Sequence, residues 1–390
     1  MYKIQTLNAI SDVIFGELDA NYAVSAQEHA PDAILVRSAA MHDMELPVSL
    51  LSIARAGAGV NNIPIERCSE AGICVFNTPG ANANAVCELV IAGLLLACRG
   101  VTDGVEWAKT LKGQGAAVEK LVEKGKGQFV GPEIAGKRLG VVGLGAIGLR
   151  VANAAAALGM RVVGFDPSIT VEHAWSLSRS IARAGSLDDL LASCDFITLH
   201  VPLTDKTRGM IGADALSKAR PGLRVLNFSR AGLVDSAAML GAIAAGTVAR
   251  YVTDFPTDEM LCAQNVLCIP HLGASTPESE DNCAAMAARQ TRAYLECGAI
   301  ENSVNLPDVA LSPVSKPRIC AIHRNIPNML GAITAAVSAQ RLNISDLVNR
   351  SRGAMAYTVL DLDGVPQGSE ALLKTLEEID GMLRVRMLGV

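Results

Sequence analysis

The chain has 390 residues, of which 50% are hydrophobic and 19% are charged, and its formal net charge at pH 7 is −5. This length predicts two or three domains, and the negative net charge argues against a nucleic-acid-binding surface. The longest strongly apolar run, residues 89–98, is about half as long as a membrane span, so we expect no membrane segment. Ten scattered cysteines without a CxxC pair predict free thiols in a reducing, cytoplasmic compartment, and six unclustered histidines predict no metal site.

The first 88 residues predict a parallel sheet with helices on both faces. Short apolar stretches typical of strands (YKIQTL, AILVR, LLSIAR and ICVFN) alternate there with helix-like segments. An apolar helical segment then runs from Val86 to about Cys98, and a polar arm rich in glycine and lysine follows over residues 109–128.

A second α/β series begins at Arg138. Its predicted strands are RLGVVG, RVVGF, DFITLH, LRVLNF, RYVTDF and VLCIP, and a helix is predicted near residues 277–297. Residues near the end of the chain show the βαββαβ pattern of a small ferredoxin-like domain. We therefore predict four parts: a lobe of residues 1–88 with 284–305, a second α/β domain of residues 89–283, a proline-containing linker of residues 306–317, and a C-terminal domain of residues 318–390.

The stretch GLGAIG has the spacing of a dinucleotide-binding loop. Gly143, Gly145 and Gly148 follow a predicted strand and open an alanine-rich helix, and the next strand ends at Asp166. In such a loop the glycines allow a tight turn, close approach of the pyrophosphate and close packing of helix on strand. An acid at this position accepts hydrogen bonds from the ribose hydroxyls and repels a 2′-phosphate, so the pattern predicts NAD rather than NADP. The alternative is that the glycines serve packing alone.

Three later strand ends carry isolated functional groups: Arg230, Glu259 and His271. Ligands of open parallel sheets bind beyond the carboxyl ends of the strands, so we expect these groups to face one crevice. A neutral imidazole is a suitable base for a secondary alcohol near pH 7, a carboxylate fixes its tautomer, and a guanidinium binds a carboxylate in two places. Taken singly, each residue has an ordinary structural explanation. His200 also ends a strand but lacks a comparable partner, so we interpret it as structural.

Two strands of the first lobe end on arginines, Arg37 and Arg55. If the strand ends of this lobe face a substrate, the two guanidiniums predict a second anionic group on it, together with the backbone N–H groups that follow at Gly57, Ala58 and Gly59. The alternative is that each arginine pairs with a local acid such as Asp43 or Glu66.

The chain resembles the D-isomer-specific 2-hydroxyacid dehydrogenases through GLGAIG, HVPLTDKTRGMIG, NFSRAGLVD and PHLGAST, over essentially its whole length. The resemblance implies a Rossmann-type doubly wound parallel sheet, a flavodoxin-like substrate-binding lobe and NAD as cofactor. It also implies catalysis by Arg230, Glu259 and His271, with the histidine as general acid and base. The implied dinucleotide contacts are Ala58, Ala146, Ile147, Asp166, Val201, Phe228, Ser229, Asp254, Gly273 and Ala274.

Two departures from the family pattern concern the catalytic set. Ala231 stands where the family has a glycine after the catalytic arginine, and DFPTDEM replaces the usual DVFxxEP. The acid behind His271 is therefore Glu259 by an ungapped count, or Asp258 if one residue was deleted.

The motifs VRSA and RAGxGVxN resemble those of family members that oxidise D-3-phosphoglycerate to 3-phosphohydroxypyruvate, the first step of L-serine biosynthesis. The alternatives are a hydroxypyruvate or glyoxylate reductase of the same fold and, more remotely, an NAD(H)-sensing binding protein.

The C-terminal βαββαβ unit resembles an ACT regulatory domain. Within it, His323, Asn325 and Asn343 match the positions that hold L-serine in enzymes of this type. The resemblance implies feedback regulation by L-serine and a homodimer or homotetramer. The alternative is that the two asparagines serve turns only, and Arg324 stands where the family usually has an acid.

Overall fold

The structure, a computed structural model, describes residues 1–365 and 368–389. Pro366, Gln367 and Val390 of the predicted C-terminal domain lie outside the described residues. The chain forms two compact units, one of Met1–Asn82 with Pro277–Val390 and one of Ala83–Thr276. The lobe and domain boundaries given above stay predictions.

The N-terminal segment forms a five-stranded parallel sheet. Its strands are β1 (Tyr2–Leu7), β2 (Tyr22–Ser25), β3 (Ala33–Val36), β4 (Ser52–Arg55) and β5 (Cys74–Phe76), with helices α1 (Ile14–Glu17) and α2 (Ile65–Glu70). The strand order is β2-β1-β3-β4-β5, which is the flavodoxin-like order that we expected. All four residues of β3 are buried, which explains its continuous apolar sequence. Sequence analysis missed β2, a short edge strand.

The second unit contains a seven-stranded parallel sheet. Its helices are α3 (Ala83–Cys98), α4 (Val101–Lys109), α5 (Val118–Gly125), α6 (Ala146–Ala157), α7 (Val171–Trp175), α8 (Leu187–Ser193), α9 (Ala213–Ser217), α10 (Ser236–Ala244) and α11 (Asp258–Leu261). Its strands are β6 (Arg138–Val142), β7 (Arg161–Phe165), β8 (Ala182–Arg183), β9 (Phe196–Leu199), β10 (Leu223–Asn227), β11 (Val248–Thr253) and β12 (Val266–Cys268). All six strands predicted here are confirmed, and only the two-residue β8 was missed.

The strand order of this sheet is β12-β11-β10-β9-β6-β7-β8. The chain therefore adds β7 and β8 on one side of β6 and then returns to add β9 to β12 on the other side. Such a reversal creates a crevice at the carboxyl ends of the strands, where ligands of doubly wound sheets bind. The predicted Rossmann-type fold is confirmed. Among the described helices none is by itself long and apolar enough to span a membrane; α3 and α4 together meet the length and composition criterion but bend by 71° at their junction.

The chain then returns to the first unit through the long helix α12 (Pro277–Cys297) and ends in an antiparallel sheet. Its elements are β13 (Arg318–Arg324), α13 (Met329–Ala339), β14 (Ile344–Arg352), β15 (Met355–Leu362), α14 (Ser369–Glu377) and β16 (Met382–Leu388). The four strands are ordered β14-β15-β13-β16, and the βαββαβ pattern is confirmed.

One face of the C-terminal sheet is packed within the first unit. The Arg386 guanidinium lies 4.1 Å from the ring centroid of Tyr294, and the Tyr357 hydroxyl donates a hydrogen bond of 2.8 Å to the carbonyl of Gly298. Leu306 and Val309, from the segment expected to be a linker, are each 1% exposed and share the same hydrophobic cluster. This part of the segment is therefore core rather than an exposed tether.

Candidate functional site

The loop between β6 and α6 can be built only with glycine at two positions. Gly143 has φ +88°, and a Cβ there would lie 2.5 Å from the carbonyl oxygen of His200. A Cβ on Gly148 would lie 1.9 Å from the carbonyl oxygen of Gly143. Both glycines therefore hold the first turn of α6 against the end of β6.

Gly145 differs from these two glycines because a Cβ there would meet no atom within 4 Å. It caps the N-terminus of the 12-residue helix α6, where Ala146 and Ile147 begin the first turn and are half-buried. The first N–H groups of a helix have no partner within the helix and favour an anion. The open space at Gly145 lets a pyrophosphate approach these N–H groups, so this loop fits the dinucleotide.

Asp166 follows β7 directly and is fixed in orientation by the backbone. One carboxylate oxygen accepts a hydrogen bond of 2.8 Å from the N–H of Leu144, and the other accepts one of 2.8 Å from the N–H of Ser168. A carboxylate has about four lone-pair sites, so two stay available for ribose hydroxyls. The residue fits the ribose-binding role that its spacing predicts.

The loops after β9 and β10 are tied together. The Ser229 hydroxyl donates to the carbonyl of Val201 at 2.8 Å, and the buried Asn227 amide donates to the carbonyl of Arg230 at 2.9 Å. Phe228 packs against Gly93 of α3, where a Cβ would lie 2.9 Å from its ring. These bonds fix the backbone on which the exposed Arg230 side chain is carried.

A buried carboxylate lies beside two of the predicted catalytic residues. Asp254 follows β11, is 1% exposed, and its Oδ1 atom has no hydrogen-bond partner among the described residues. Burial raises the pKa of the Asp254 carboxyl, while the nearby charges of His271 and Arg230 act in the opposite direction. The His271 side chain is exposed, and its ring lies 4.9 Å from that of Phe255 in an edge-on arrangement at 75°. The structure thus brings Arg230, Asp254 and His271 into one electrostatic group.

The acid predicted to lie behind His271, Glu259 or Asp258, stays a prediction. Glu259 and Asp258 occupy the first turn of α11, and both are exposed. Asp254, which the sequence suggested as a dinucleotide contact, also interacts electrostatically with His271. Its signal in the sequence was its position near the end of the predicted strand RYVTDF.

Two further predicted dinucleotide contacts, Gly273 and Ala274, lie in this unit, whereas Ala58 belongs to the first unit. Gly273 is buried, its N–H group interacts with Asp254, and Ala274 follows it half-buried. His200 has the structural role that we predicted, although it does have a partner, the Thr198 hydroxyl at 3.0 Å. Burial lowers the pKa of His200 to about 3, so its imidazole is neutral near pH 7.

In the first unit, Arg37 forms an ion pair with Glu280 of α12, with Nη2 2.6 Å from the carboxylate. Neither Asp43 nor Glu66, the partners considered from the sequence, takes this position. The two side chains are 38% and 41% exposed, so solvent weakens the pair and little energy is needed to open it.

Arg55 and the residues after it form one compact group. The guanidinium of Arg55 lies over Gly57, where φ is +149° and a Cβ would be 2.3 Å from Nη1. The N–H of Gly57 donates to the Thr78 hydroxyl at 2.7 Å, and the carbonyl of Ala58 accepts from an amide at 2.6 Å. A Cβ on Gly59 would lie 3.9 Å from the same Nη1 atom. Arg55 therefore lies next to the backbone of Gly57–Gly59, as the sequence predicts.

The three residues matched to the serine position are not together within one chain. His323 is 2% exposed, and its ring nitrogens contact the carbonyl of Arg324 and the Thr358 hydroxyl, each at 2.8 Å. Asn325 follows the end of β13 and donates to the carbonyl of Gly353 at 3.2 Å. Asn343 precedes β14 and donates to the Asp363 carboxylate at 2.6 Å. Arg324, next to Asn325, pairs with Met355 at one end of β15, and Ile344, next to Asn343, pairs with Leu362 at its other end. The two asparagines therefore lie at opposite ends of the sheet, about 23 Å apart along the strand direction.

Neither disulfides nor metal clusters contribute to the described part of the chain. All ten cysteines are free, and within residues 1–365 and 368–389 no group of three or more His, Cys, Asp or Glu side chains could hold a metal ion.

Comparison with known proteins places these features in a family. Residues 91–273 match the family model of the D-isomer specific 2-hydroxyacid dehydrogenase, NAD binding domain. The chain is 33% identical over 350 residues to the D-3-phosphoglycerate dehydrogenase of Escherichia coli strain K12. The aligned region covers 87% of this chain and 82% of that protein. It is 37% identical over 284 residues to the D-3-phosphoglycerate dehydrogenase of Mycobacterium tuberculosis, covering 70% of this chain and 51% of that protein.

Solved structures agree with this result. The NAD+-bound 3-phosphoglycerate dehydrogenase of Entamoeba histolytica superposes with a TM-score of 0.61 at 26% identity, covering 78% of this chain and 98% of that one. D-mandelate dehydrogenase of Rhodotorula graminis has a TM-score of 0.67 at 21% identity, covering 80% and 99%, and so shares the fold. The similarity to the Escherichia coli protein, over most of both sequences, shows that this chain belongs to the D-isomer specific 2-hydroxyacid dehydrogenase family.

Proposed function

We propose that this protein is an NAD-dependent oxidoreductase that converts D-3-phosphoglycerate to 3-phosphohydroxypyruvate, the first step of L-serine biosynthesis. The observation that carries the proposal is that a loop fitted to a pyrophosphate and the group of Arg230, Asp254 and His271 follow strands of one parallel sheet at the same edge. The substrate is inferred from the relatives of that name.

NAD, when bound at the loop of Gly143–Gly148, supplies the hydride acceptor. His271 takes the hydroxyl proton of the substrate, and the acid behind it, Glu259 or Asp258, fixes the tautomer of its ring. The buried Asp254 carboxylate adds to the stabilisation of the imidazolium that results. Arg230 binds the substrate carboxylate and polarises the developing carbonyl group. The edge-on contact with Phe255 holds the His271 ring in orientation.

Arg55 is the residue that we assign to the phosphate group of the substrate. Its guanidinium already lies beside the backbone of Gly57–Gly59, so little side-chain ordering is required on binding. The ion pair with Glu280 offsets the charge of Arg37 and so weakens its attraction for a phosphate. That ion pair favours a second candidate function, a hydroxypyruvate or glyoxylate reductase, whose substrate has no phosphate group.

The test is the kinetic effect of Arg55→Gln with D-3-phosphoglycerate. Hydrogen bonds to charged groups contribute about 1.5–3 kcal/mol each, so we expect KM to rise roughly 10- to 150-fold with a much smaller fall in kcat. Arg289→Gln is the matched control, because Arg289 is a 57% exposed arginine of the same unit paired with Glu17. A KM equal to that of the control would remove the phosphate assignment and favour the reductase.

Glu280→Gln tests Arg37 separately. If Arg37 binds the phosphate, its release from Glu280 lowers KM for D-3-phosphoglycerate and leaves KM for hydroxypyruvate unchanged. A rise in KM, or equal changes for both substrates, would limit Arg37 to a structural ion pair.

We further propose that the C-terminal unit is an ACT domain that binds L-serine between two copies of the chain. Asn325 and Asn343 lie at opposite ends of one sheet, so a molecule as small as serine contacts both only if they come from different copies. A homodimer or homotetramer follows from this arrangement. The expected result is inhibition by millimolar L-serine that is lost in Asn343→Ala. The absence of both inhibition and a serine-dependent rise in Tm would contradict this proposal.

We also propose a cytoplasmic location, which the ten free cysteines support.

A further inference from the structure

A cavity of about 550 Å³ lies in the second unit, away from the dinucleotide loop. It is lined by residues at the amino ends of β10, β11 and β12, whereas the loops of the active site follow the carboxyl ends of the strands. Asp103 of α4 and residues 128–130 form its other wall. We call it the arginine cavity, after Arg224 and Arg250.

The two arginines lie side by side on neighbouring strands. Arg224 of β10 is the direct register partner of Arg250 of β11, so their side chains leave the same face of the sheet. Like charges directly opposite each other on paired strands destabilise a sheet unless an anion lies between them. A negative charge close to both guanidiniums would therefore stabilise this part of the sheet.

The described side chains satisfy these guanidiniums only in part. The Nη2 atom of Arg250 is 3.2 Å from the Asp103 carboxylate, its Nε atom is buried with no hydrogen-bond partner among the described residues, and its side chain is 12% exposed. Arg224 donates to the carbonyl of Ala97 at 2.9 Å and lies 5.5 Å from the ring centroid of Phe196. Among the described residues that line the cavity, the charged ones are these two arginines and Asp103, so this lining carries an excess positive charge.

The other polar groups of the cavity are amides. Gln128, Gln264 and Asn265 line it, and each side-chain amide offers N–H donors. Asp103 is 62% exposed, so solvent screens much of its attraction for Arg250. Excess donors and an excess positive charge together fit an oxyanion.

We propose that the arginine cavity binds the oxyanion head, carboxylate or phosphate, of a small metabolite between Arg224 and Arg250. The bound anion offsets the repulsion between the two guanidiniums. Because Asp103 belongs to α4 and Gln128 to the segment after α5, occupation of the cavity also fixes these two segments against the sheet.

The test is a calorimetric titration of the full-length protein, saturated with NADH so that the dinucleotide loop is occupied. Inorganic phosphate and malonate are the two charged probes, and uncharged malonamide is the control ligand. We expect saturable binding of at least one charged probe, a rise in Tm on binding, and no binding of malonamide. Preference for phosphate or for malonate identifies the source of the oxyanion.

Two substitutions with opposite expected effects locate the binding. Arg250→Gln weakens it at least tenfold, whereas Asp103→Asn tightens it several-fold because a competing carboxylate is removed. Arg220→Gln is the control, since Arg220 is an exposed arginine of the same unit paired with Asp195.

Absence of saturable binding, or an affinity that is the same in Arg250→Gln and Arg220→Gln, would overturn the proposal. If Arg250→Gln does not fold, Asp103→Asn decides the question: unchanged or weaker binding in that variant contradicts the proposal.

Discussion

Alanine substitutions at Gly145 and Gly148 separate the two tasks of the dinucleotide loop. A Cβ on Gly148 would lie 1.9 Å from the carbonyl oxygen of Gly143, whereas one on Gly145 would meet no atom within 4 Å. Gly148→Ala therefore disturbs the fold itself. Gly145→Ala leaves the fold intact and places a methyl group where the pyrophosphate approaches the N-terminus of α6.

The magnitudes follow from these distances. Contacts shorter than 3.0 Å are not found for real Cβ atoms, so α6 has to move by roughly 1 Å in Gly148→Ala. Overpacking of this kind costs about 1–3 kcal/mol, which lowers Tm by roughly 2–12 °C in a unit of this size. At Gly145 the φ of −72° suits alanine. The weaker N-cap and the reduced entropy of the unfolded chain, each about 0.5–1 kcal/mol, nearly cancel.

The assay is Tm by calorimetry without cofactor, together with the Kd for NADH by fluorescence titration. We expect Gly145→Ala to keep the wild-type Tm within about 2 °C and to weaken NADH binding at least tenfold, or about 1.4 kcal/mol. Gly148→Ala lowers Tm. Wild-type NADH affinity in Gly145→Ala, or a Tm of Gly148→Ala equal to that of the wild type, would refute the reasoning.

Three further substitutions test other parts of the structure. Asp166→Ser should lower the ratio of kcat/KM with NAD to that with NADP at least tenfold, because repulsion of the 2′-phosphate is lost; an unchanged ratio contradicts the ribose role. Because burial raises the pKa of Asp254, the wild-type fold loses stability as the pH rises above about 4. Asp254→Asn should therefore resist urea better than the wild type at pH 7 but not at pH 4. The variant should also oxidise substrate more slowly. Equal stability of the two proteins in urea at pH 7 would contradict the presence of a buried charge at Asp254. Arg318 binds Asp361 through two hydrogen bonds of 2.6 and 2.8 Å, and Arg318→Met removes both. This substitution should lower the free energy of unfolding by about 3–5 kcal/mol in urea titrations, because it leaves the Asp361 carboxylate unpaired. The double variant Arg318→Met with Asp361→Leu should recover most of this loss.

Features set by neighbouring residues could be predicted from the sequence. The loop of Gly143, Gly145 and Gly148 is recognisable because the strand before it, the glycine spacing and the helix after it are all local. The same holds for the buried strands, whose continuous apolar sequences are visible without any knowledge of the fold.

Strands at sheet edges were harder to recognise. The nine residues of β14, ISDLVNRSR, are mostly exposed, and no regular alternation of apolar and polar residues marks them. They form a strand because β15 supplies hydrogen-bond partners along its whole length. β2 and β8 are short edge strands whose pairing also depends on a neighbour already in place.

Pairings between distant segments could not be predicted. Glu280 reaches Arg37 across 243 positions because α12 returns to the first sheet, so acids near Arg37 in the sequence were considered instead. The burial of Asp254 is likewise a product of packing, since nothing in TDFPTDEM distinguishes it from Asp258 or Glu259 except its place at the end of β11.

The most direct test of the proposed function is the rate of NADH formation with D-3-phosphoglycerate compared with D-glycerate, which lacks the phosphate group. Two or more charged hydrogen bonds to the phosphate, at about 1.5–3 kcal/mol each, predict a kcat/KM at least a hundredfold higher for D-3-phosphoglycerate. Equal values, or a higher value for D-glycerate, would contradict the account and make a reductase of the same fold the better description.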